Sequence, residues 1–438
     1  MTSTEPERAG RESGGVRSKL PAGVFDASFA SLATFVAGLV AVNILEGDDL
    51  GIYAVFFAAF TFGQLVAYQL IYVPAEIVAV SRRGVLRLAV FEDSFRLGAI
   101  PSVAGASLVF VAALTTAPLA STSLTLGLTA TAFCATLLSP SQDHVRRTLH
   151  IADKSWQAAW MSFTQFAVTL AATGVMLALD VSVVWIPFGA LTAANLISLT
   201  FGMYLVIRDR RRAEAEGHRT KAGDRVTFAE LVPQGRWLLL QAAIPAGAAF
   251  VTANIITYLA GPTAMGYAEA ARIVAQPIVV LAGGLIYPLR PRAMEAALDR
   301  DLASSIRVER AYVAIVALGG LAYIPLAGGT WPWNPMQYLV PAAYEVPGLV
   351  IATILANTIL ASVFLLTNEL MAAGKARTLA ILNSFAAAIR ILVATSAGVT
   401  GAFARPLSEG TAELFVIGGQ LRGHRDIYRP TADTDPEA

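Results

Sequence analysis

Charge is what this chain of 438 residues lacks most. Only 14% of it is charged, where a soluble domain carries about a quarter. Together with 55% hydrophobic residues and a mean hydropathy of +0.60, that shortage excludes a soluble enzyme, a disordered chain and a nucleic-acid binder, although the net charge is only +1. Cysteine is nearly missing. The single Cys134 excludes a disulfide framework and any multi-cysteine metal site, and its apolar neighbours predict a small buried hydrophobe. The patterns G-x-x-x-x-G-K-[ST], G-x-G-x-x-G, H-E-x-x-H and G-x-S-x-G do not occur, so no phosphate loop, dinucleotide fingerprint, zinc-protease helix or nucleophile elbow is expected. The expectation is therefore no enzyme, no cofactor and no metal. All four histidines (His144, His150, His218, His424) fall between the apolar runs, which speaks against a histidine relay at membrane depth.

What is abundant is apolar sequence in long runs. A membrane span needs about 20 mostly apolar residues, and twelve stretches qualify: 22–45, 51–74, 97–118, 122–142, 156–179, 183–207, 237–260, 265–288, 311–330, 346–367, 378–398 and 400–421. The last is the weakest, because it holds Arg405, Glu409 and Glu413. The first run is longer than a signal h-region and lacks a clear cleavage site, so it reads as a span rather than a leader. Cytoplasmic loops collect Lys and Arg. With the N-terminus inside, 29 of the 32 Lys and Arg residues fall in inner segments, including Arg82 and Arg83, Arg146, Arg147 and Lys154, and Arg210-Arg211-Arg212. The outer loops hold none, and the first of them carries only acids, Glu46, Asp48 and Asp49. The expected fold is an all-α integral membrane protein with both termini cytoplasmic. Residues 1–20 form a polar tail, 21–207 a six-helix bundle, 208–236 a cytoplasmic linker, 237–421 a second six-helix bundle and 422–438 a tail. Between spans 9 and 10, Trp331-Pro332-Trp333-Asn334-Pro335, with Tyr338 and Tyr344 following, is an aromatic segment. It reads as an interface anchor or, less commonly, a substrate lid.

A shift of 215 residues lays one half over the other: Phe35-Val36 on Phe250-Val251, Gly51 on Gly266, Ile71-Tyr72 on Ile286-Tyr287. Six spans is an even number, so the repeats run parallel, related by an axis along the membrane normal, as in transporters built from repeated bundles.

Charge at membrane depth is costly and faces a protein interior or a water cavity. Arg272 and Glu269 lie at i,i+3 on span 8, with Gln276 one turn on, and read either as a self-neutralising pair or as a substrate or ion site. Arg390, in the middle of span 11, has no acidic neighbour within a turn, so it wants a carboxylate from another helix or a substrate phosphate. Arg405, Glu409 and Glu413 make one polar stripe at i, i+4, i+8. Asp26 and Glu76, near the inner ends of spans 1 and 2, are candidates to carry a proton or sodium ion, or are solvated at the interface. Amides such as Gln64, Gln165, Asn195 and Asn357 usually bond between helices.

The stretch Phe35 to Pro74, with Gly51-Ile52-Tyr53-Ala54 opening span 2, resembles the start of polysaccharide-exporter proteins of the multidrug/oligosaccharidyl-lipid/polysaccharide (MOP) flippase superfamily. In the second half, Asn254 to Leu259 and Met265-Gly266-Tyr267-Ala268-Glu269-Ala270-Ala271-Arg272-Ile273 resemble it too. The resemblance implies a MATE-like pair of bundles that rock around a central cavity in a bacterial inner (plasma) membrane. It implies a lipid-linked sugar as substrate, Arg272 and Arg390 as pyrophosphate ligands, and H+ or Na+ coupled through a carboxylate such as Asp26 or Glu269. Membrane lipid and polysaccharide-assembly proteins would be the partners. Alternatives are an ion-coupled drug or metabolite antiporter of the same fold, a major-facilitator transporter, a multispan glycosyltransferase and a non-transporting scaffold.

Overall fold

The computed structural model describes residues 6–81, 85–215, 225–329, 331–332 and 334–428. Arg82, Arg83, His218, Arg219, Lys221, Trp333 and Arg429 lie outside them. The described chain is helical throughout, without strands among the described residues. Span 1 belongs to helix Pro6–Ile44. Span 2 runs Gly47–Ala67, passes through a π-turn at Tyr68–Tyr72 and continues as Val73–Ser81. Span 3 is Val85–Ala106 and Leu108–Thr116. Spans 4, 5 and 6 are Thr122–Ile151, Ser155–Ala178 and Ile186–Ala215. Spans 7, 8 and 9 are Phe228–Leu259, Pro262–Leu298 and Leu302–Gly328. Span 10 is Leu349–Ser362 and Phe364–Ala372, span 11 is Ala376–Ala394, and the twelfth helix is Ala404–Ile427.

Eleven described helices are long and apolar enough to cross a membrane. The twelfth has 24 residues, long enough at about 1.5 Å per residue, and falls short only in composition. Helix ends follow local chemistry. Ser121 accepts a hydrogen bond from Leu124 N at 3.2 Å and starts span 4. The hinge between spans 7 and 8 is Gly261, at φ +90°, followed by Pro262 in the first turn. Glycine tolerates that φ and proline suits that position.

Two expectations change here. Span 4 does not stop near residue 142. Its helix continues to Ile151, so His144, Arg146 and His150 stand on a membrane helix, with His144 and Arg146 buried. The charges at this end are held by partners from other helices, which lets the helix run on past the apolar stretch. Cys134 is exposed rather than buried, because the apolar face it sits on points away from the bundle.

The two halves pack alike. In the first, span 1 packs on 5, 5 on 6, 6 on 4, 4 on 3, and 2 on both 3 and 4. In the second, 7 packs on 11, 11 on 12, 12 on 10, 10 on 9, and 8 on both 9 and 10. Adding six to each helix number converts one pattern into the other. The halves meet through span 2 against 8, 2 against 7 and 1 against 8. At the crossing of 2 and 8, a Cβ on Gly51 would overlap the Pro262 carbonyl, and a Cβ on Gly266 would overlap the Gly47 carbonyl. A shift of 215 carries Gly47 to Pro262 and Gly51 to Gly266, so the contact is reciprocal, as a two-fold axis requires. Asp48 and Thr263, equivalents under the same shift, hydrogen-bond across that axis.

Candidate functional site

The crossing of spans 2 and 8 shuts the end of the molecule that carries Glu46, Asp48 and Asp49. The aromatic segment reinforces it. Asn43 Nδ2 donates to Leu339 O at 2.8 Å and the Tyr344 hydroxyl to Leu45 O at 2.7 Å. Trp331 Nε1 donates to Pro325 O at 2.7 Å. Burial pushes the Tyr344 phenol up to about 12, so it stays a donor. The segment therefore straps span 1 at this acidic end.

Toward the opposite, basic end the two pseudo-equivalent seams differ. Between spans 2 and 7 the backbones touch: a Cβ on Gly235 would overlap Leu70 O, and just before span 7 Val226 N donates to Asp93 of span 3 at 3.0 Å. Between spans 1 and 8, contact at Gly38 and Ile273 gives way to a fissure of about 220 Å³, lined from Val24 to Ser31 on one side and from Gln276 to Gly284 on the other. A Cβ on Gly283 or Gly284 would meet nothing within 4 Å. The fissure adjoins a second cavity of about 270 Å³ inside the first half, the two sharing Ala30, Ser31, Arg146 and Gln276. Eleven of the fifteen residues lining the second cavity are polar.

That cavity is built from a hydrogen-bonded lattice. Ser139 Oγ donates to Gln64 at 3.0 Å. Gln142 Nε2 donates to Gln165 and to Ser198 Oγ, both at 3.2 Å, and Gln165 Nε2 to Asn195 at 2.7 Å. At its basic end Arg146 donates to Asp26 at 3.0 Å and to Asp143 at 2.8 Å. Asp26 also accepts from Ser162 at 2.6 Å and lies 2.9 Å from His150 Nε2. Asp26 is thus buried and paired rather than solvated. Glu76 belongs to a neighbouring cluster instead. It lies 3.3 Å from His144 Nδ1, whose ring stacks on Tyr72 of the π-turn and whose Nε2 is 2.8 Å from Ser94 Oγ. A π-turn is a frequent marker of functional geometry.

The other named charges form one chain across spans 8, 12 and 11. Glu269, fully buried, takes Arg272 bidentately at 2.9 and 2.7 Å and Arg405 at 2.7 Å. Arg405 reaches Glu409 at 3.5 Å, and Glu409 receives Arg390. Arg390 therefore has its carboxylate, supplied by the twelfth helix. Glu413 is half-buried one turn further on and has no ion-pair partner among the described residues. Arg272 also donates to Gln276 at 2.9 Å and lies 4.6 Å over the Phe57 ring. Phe57 and Gln276 both line the cavity, so Arg272 stands behind its wall.

Sequence reasoning missed Arg146, which it left in a loop. The signal was the spacing Asp143, Arg146, His150, which continues one helical face for two turns.

No protein-family model and no curated protein matches the chain. Solved structures do. The fold is that of MOP-superfamily transporters, and the likeness is nearly full length. An inward-facing multidrug-resistance MATE transporter of the MOP superfamily aligns with a TM-score of 0.72 at 12% identity, covering 92% of this chain and 98% of its own. A MOP-superfamily transporter from Pyrococcus furiosus, described as having a binding pocket of reversed polarity, gives 0.65 at 13% identity over 93% and 96%. The lipid II flippase MurJ in an inward closed conformation gives 0.60 at 12% identity over 92% and 89%. These neighbours are transporters and a flippase, not enzymes.

Proposed function

We propose that the chain flips a lipid-linked oligosaccharide, a polyprenyl-pyrophosphate sugar used to build a surface polysaccharide, from the cytoplasmic to the outer leaflet by alternating access. The basic end faces the cytoplasm, which places both termini inside. The observation that carries this reading is the one-sided opening. A substrate with a polyprenyl tail needs a slot to the lipid, and the fissure between spans 1 and 8 supplies one beside a polar cavity. Neutral amides and hydroxyls match sugar hydroxyls. Arg146, on the cavity wall, is the cation for a pyrophosphate, a role guanidinium geometry suits, with Arg272 behind Gln276 adding positive charge. Arg390 serves Glu409 and holds the second half together. Reorientation opens the Gly51–Gly266 crossing and closes the fissure, and a proton on Asp26 drives it by releasing the bond from Arg146. Polysaccharide-assembly proteins would receive the product.

Deleting the gene tests the reading. The expected result is loss of a surface glycan with build-up of its lipid-linked precursor on the inner leaflet. An unchanged glycan profile with altered resistance to toxic cations would replace it with a drug antiporter of the same fold.

A further inference from the structure

At the basic end of the second half, away from the cavity, three helices converge on one point. Glu309 comes from span 9, Glu369 from span 10 and His424 from the twelfth helix. One ligand atom from each lies within 4.8 Å of the others. His424 Nε2 is 3.6 Å from Glu369 Oε1 and 3.9 Å from Glu309 Oε2. The Glu369 side chain is fully buried, and those of His424 and Glu309 are 9% and 16% exposed. Ser305 Oγ donates to Glu369 Oε1 at 2.6 Å and lies 2.9 Å from His424 Nε2, while the Tyr428 hydroxyl donates to the same carboxylate.

Two features set this cluster apart from the carboxylates of the cavity and of the ion-pair chain. Asp26, Glu269 and Glu409 each have an arginine. Glu309 and Glu369 have no arginine or lysine partner among the described residues, and a histidine alone does not offset two carboxylates. In addition, Glu309 Oε1 and Glu369 Oε2 are buried without a hydrogen-bond donor. Buried carboxylate oxygens with neither donor nor counter-ion are unfavourable, so the site calls for a cation. A proton shared by the carboxylates would match those two oxygens and leave the imidazole held by Ser305. A metal ion uses all three groups, each offering one ligand atom. Bonds of about 2.0–2.1 Å to nitrogen and oxygen imply edges of about 3.3 Å in a tetrahedral site, and the observed 3.6 and 3.9 Å close to that by small side-chain rotations. One imidazole with two carboxylates suits a borderline divalent ion.

We propose that Glu309, Glu369 and His424 bind one divalent transition-metal ion, zinc for preference, that clamps spans 9 and 10 to the twelfth helix. Ser305 and Tyr428 orient Glu369 from behind. The proposal stands independently of what the cavity carries.

The test is zinc titration of chelator-treated, tag-free protein in detergent, read by calorimetry and by melting temperature, with magnesium as the control ion. One zinc per chain is expected, with a rise in Tm that magnesium does not reproduce. Glu309→Gln, at the rim, should weaken zinc by more than about tenfold while leaving the metal-free melting point near or above that of the wild type, since it removes an uncompensated charge. Glu413→Gln, on the same helix as His424, should bind like wild type. No zinc uptake by the wild type, or equal uptake by Glu309→Gln, overturns the proposal. So does a Tm that rises on acidification and ignores zinc, which would mark a shared proton.

Discussion

In the first half the buried polar groups of spans 1, 4, 5 and 6 surround open space. In the second, those of spans 8, 11 and 12 close on one another. Asp26 shares Arg146 with Asp143 beside a cavity, whereas Glu269 is gripped by two arginines and fully buried. The helix packing is the same in both, so the scaffold does not decide the use. The polar residues do: amides that bond sideways leave a wall, and charges of alternating sign pull their helices together. The seams differ in the same manner. Glycine against a carbonyl shuts the one between spans 2 and 7, and glycine against nothing leaves the one between 1 and 8 open.

The comparison can be broken in four ways. Glu269→Ala leaves Arg272 and Arg405 buried without their carboxylate. It should cost about 3–5 kcal/mol, seen as a large fall in Tm. Asp26→Asn, which keeps its bond from Ser162, should cost about 1.5–3 kcal/mol; equal losses would mean that the halves are held alike. Next come the seams. Gly235→Ala forces a methyl into Leu70 O and should cost about 1–3 kcal/mol by chemical denaturation, while Gly284→Ala, facing open space, should stay within about 0.5 kcal/mol. If Gly284→Ala destabilises as much, the fissure is closed in the working protein. Third, Arg146→Ala should slow flipping of a fluorescent polyprenyl-pyrophosphate sugar in vesicles by about tenfold, equivalent to about 1.4 kcal/mol in the barrier. Arg390→Ala should lower Tm and leave the flipping rate of folded protein near normal. The reverse pattern would return the pyrophosphate to Arg390. The last test is conformational. Gly51→Ala should part the acidic ends of spans 2 and 8, measured as a longer spin-label distance there, and an unchanged distance would show that the crossing is not the seal.

Several of these features were legible beforehand. The 215-residue shift already aligned Gly51 with Gly266, and Gly47 to Gly51 spells the small-x-x-x-small spacing that lets helices approach. Only the structure turns that spacing into a reciprocal contact. Arg390 was read as needing a carboxylate from another helix or a phosphate, and nothing near it in the chain named Glu409. Glu309 and Glu369 drew no attention, because both fall just outside the apolar runs, Glu309 between Arg307 and Arg310.

From the sequence alone came the class, the spans, the basic and acidic ends and the parallel repeat. These rest on transfer free energies that accumulate residue by residue along the chain, so a linear reading captures them. Which charge meets which, and which seam opens, was decided by tertiary structure. Arg146 and Asp26 are 120 residues apart, and Arg405 and Glu269 are 136 apart. A pairing over that distance depends on where whole helices pack, and no local sum of hydropathy contains that information.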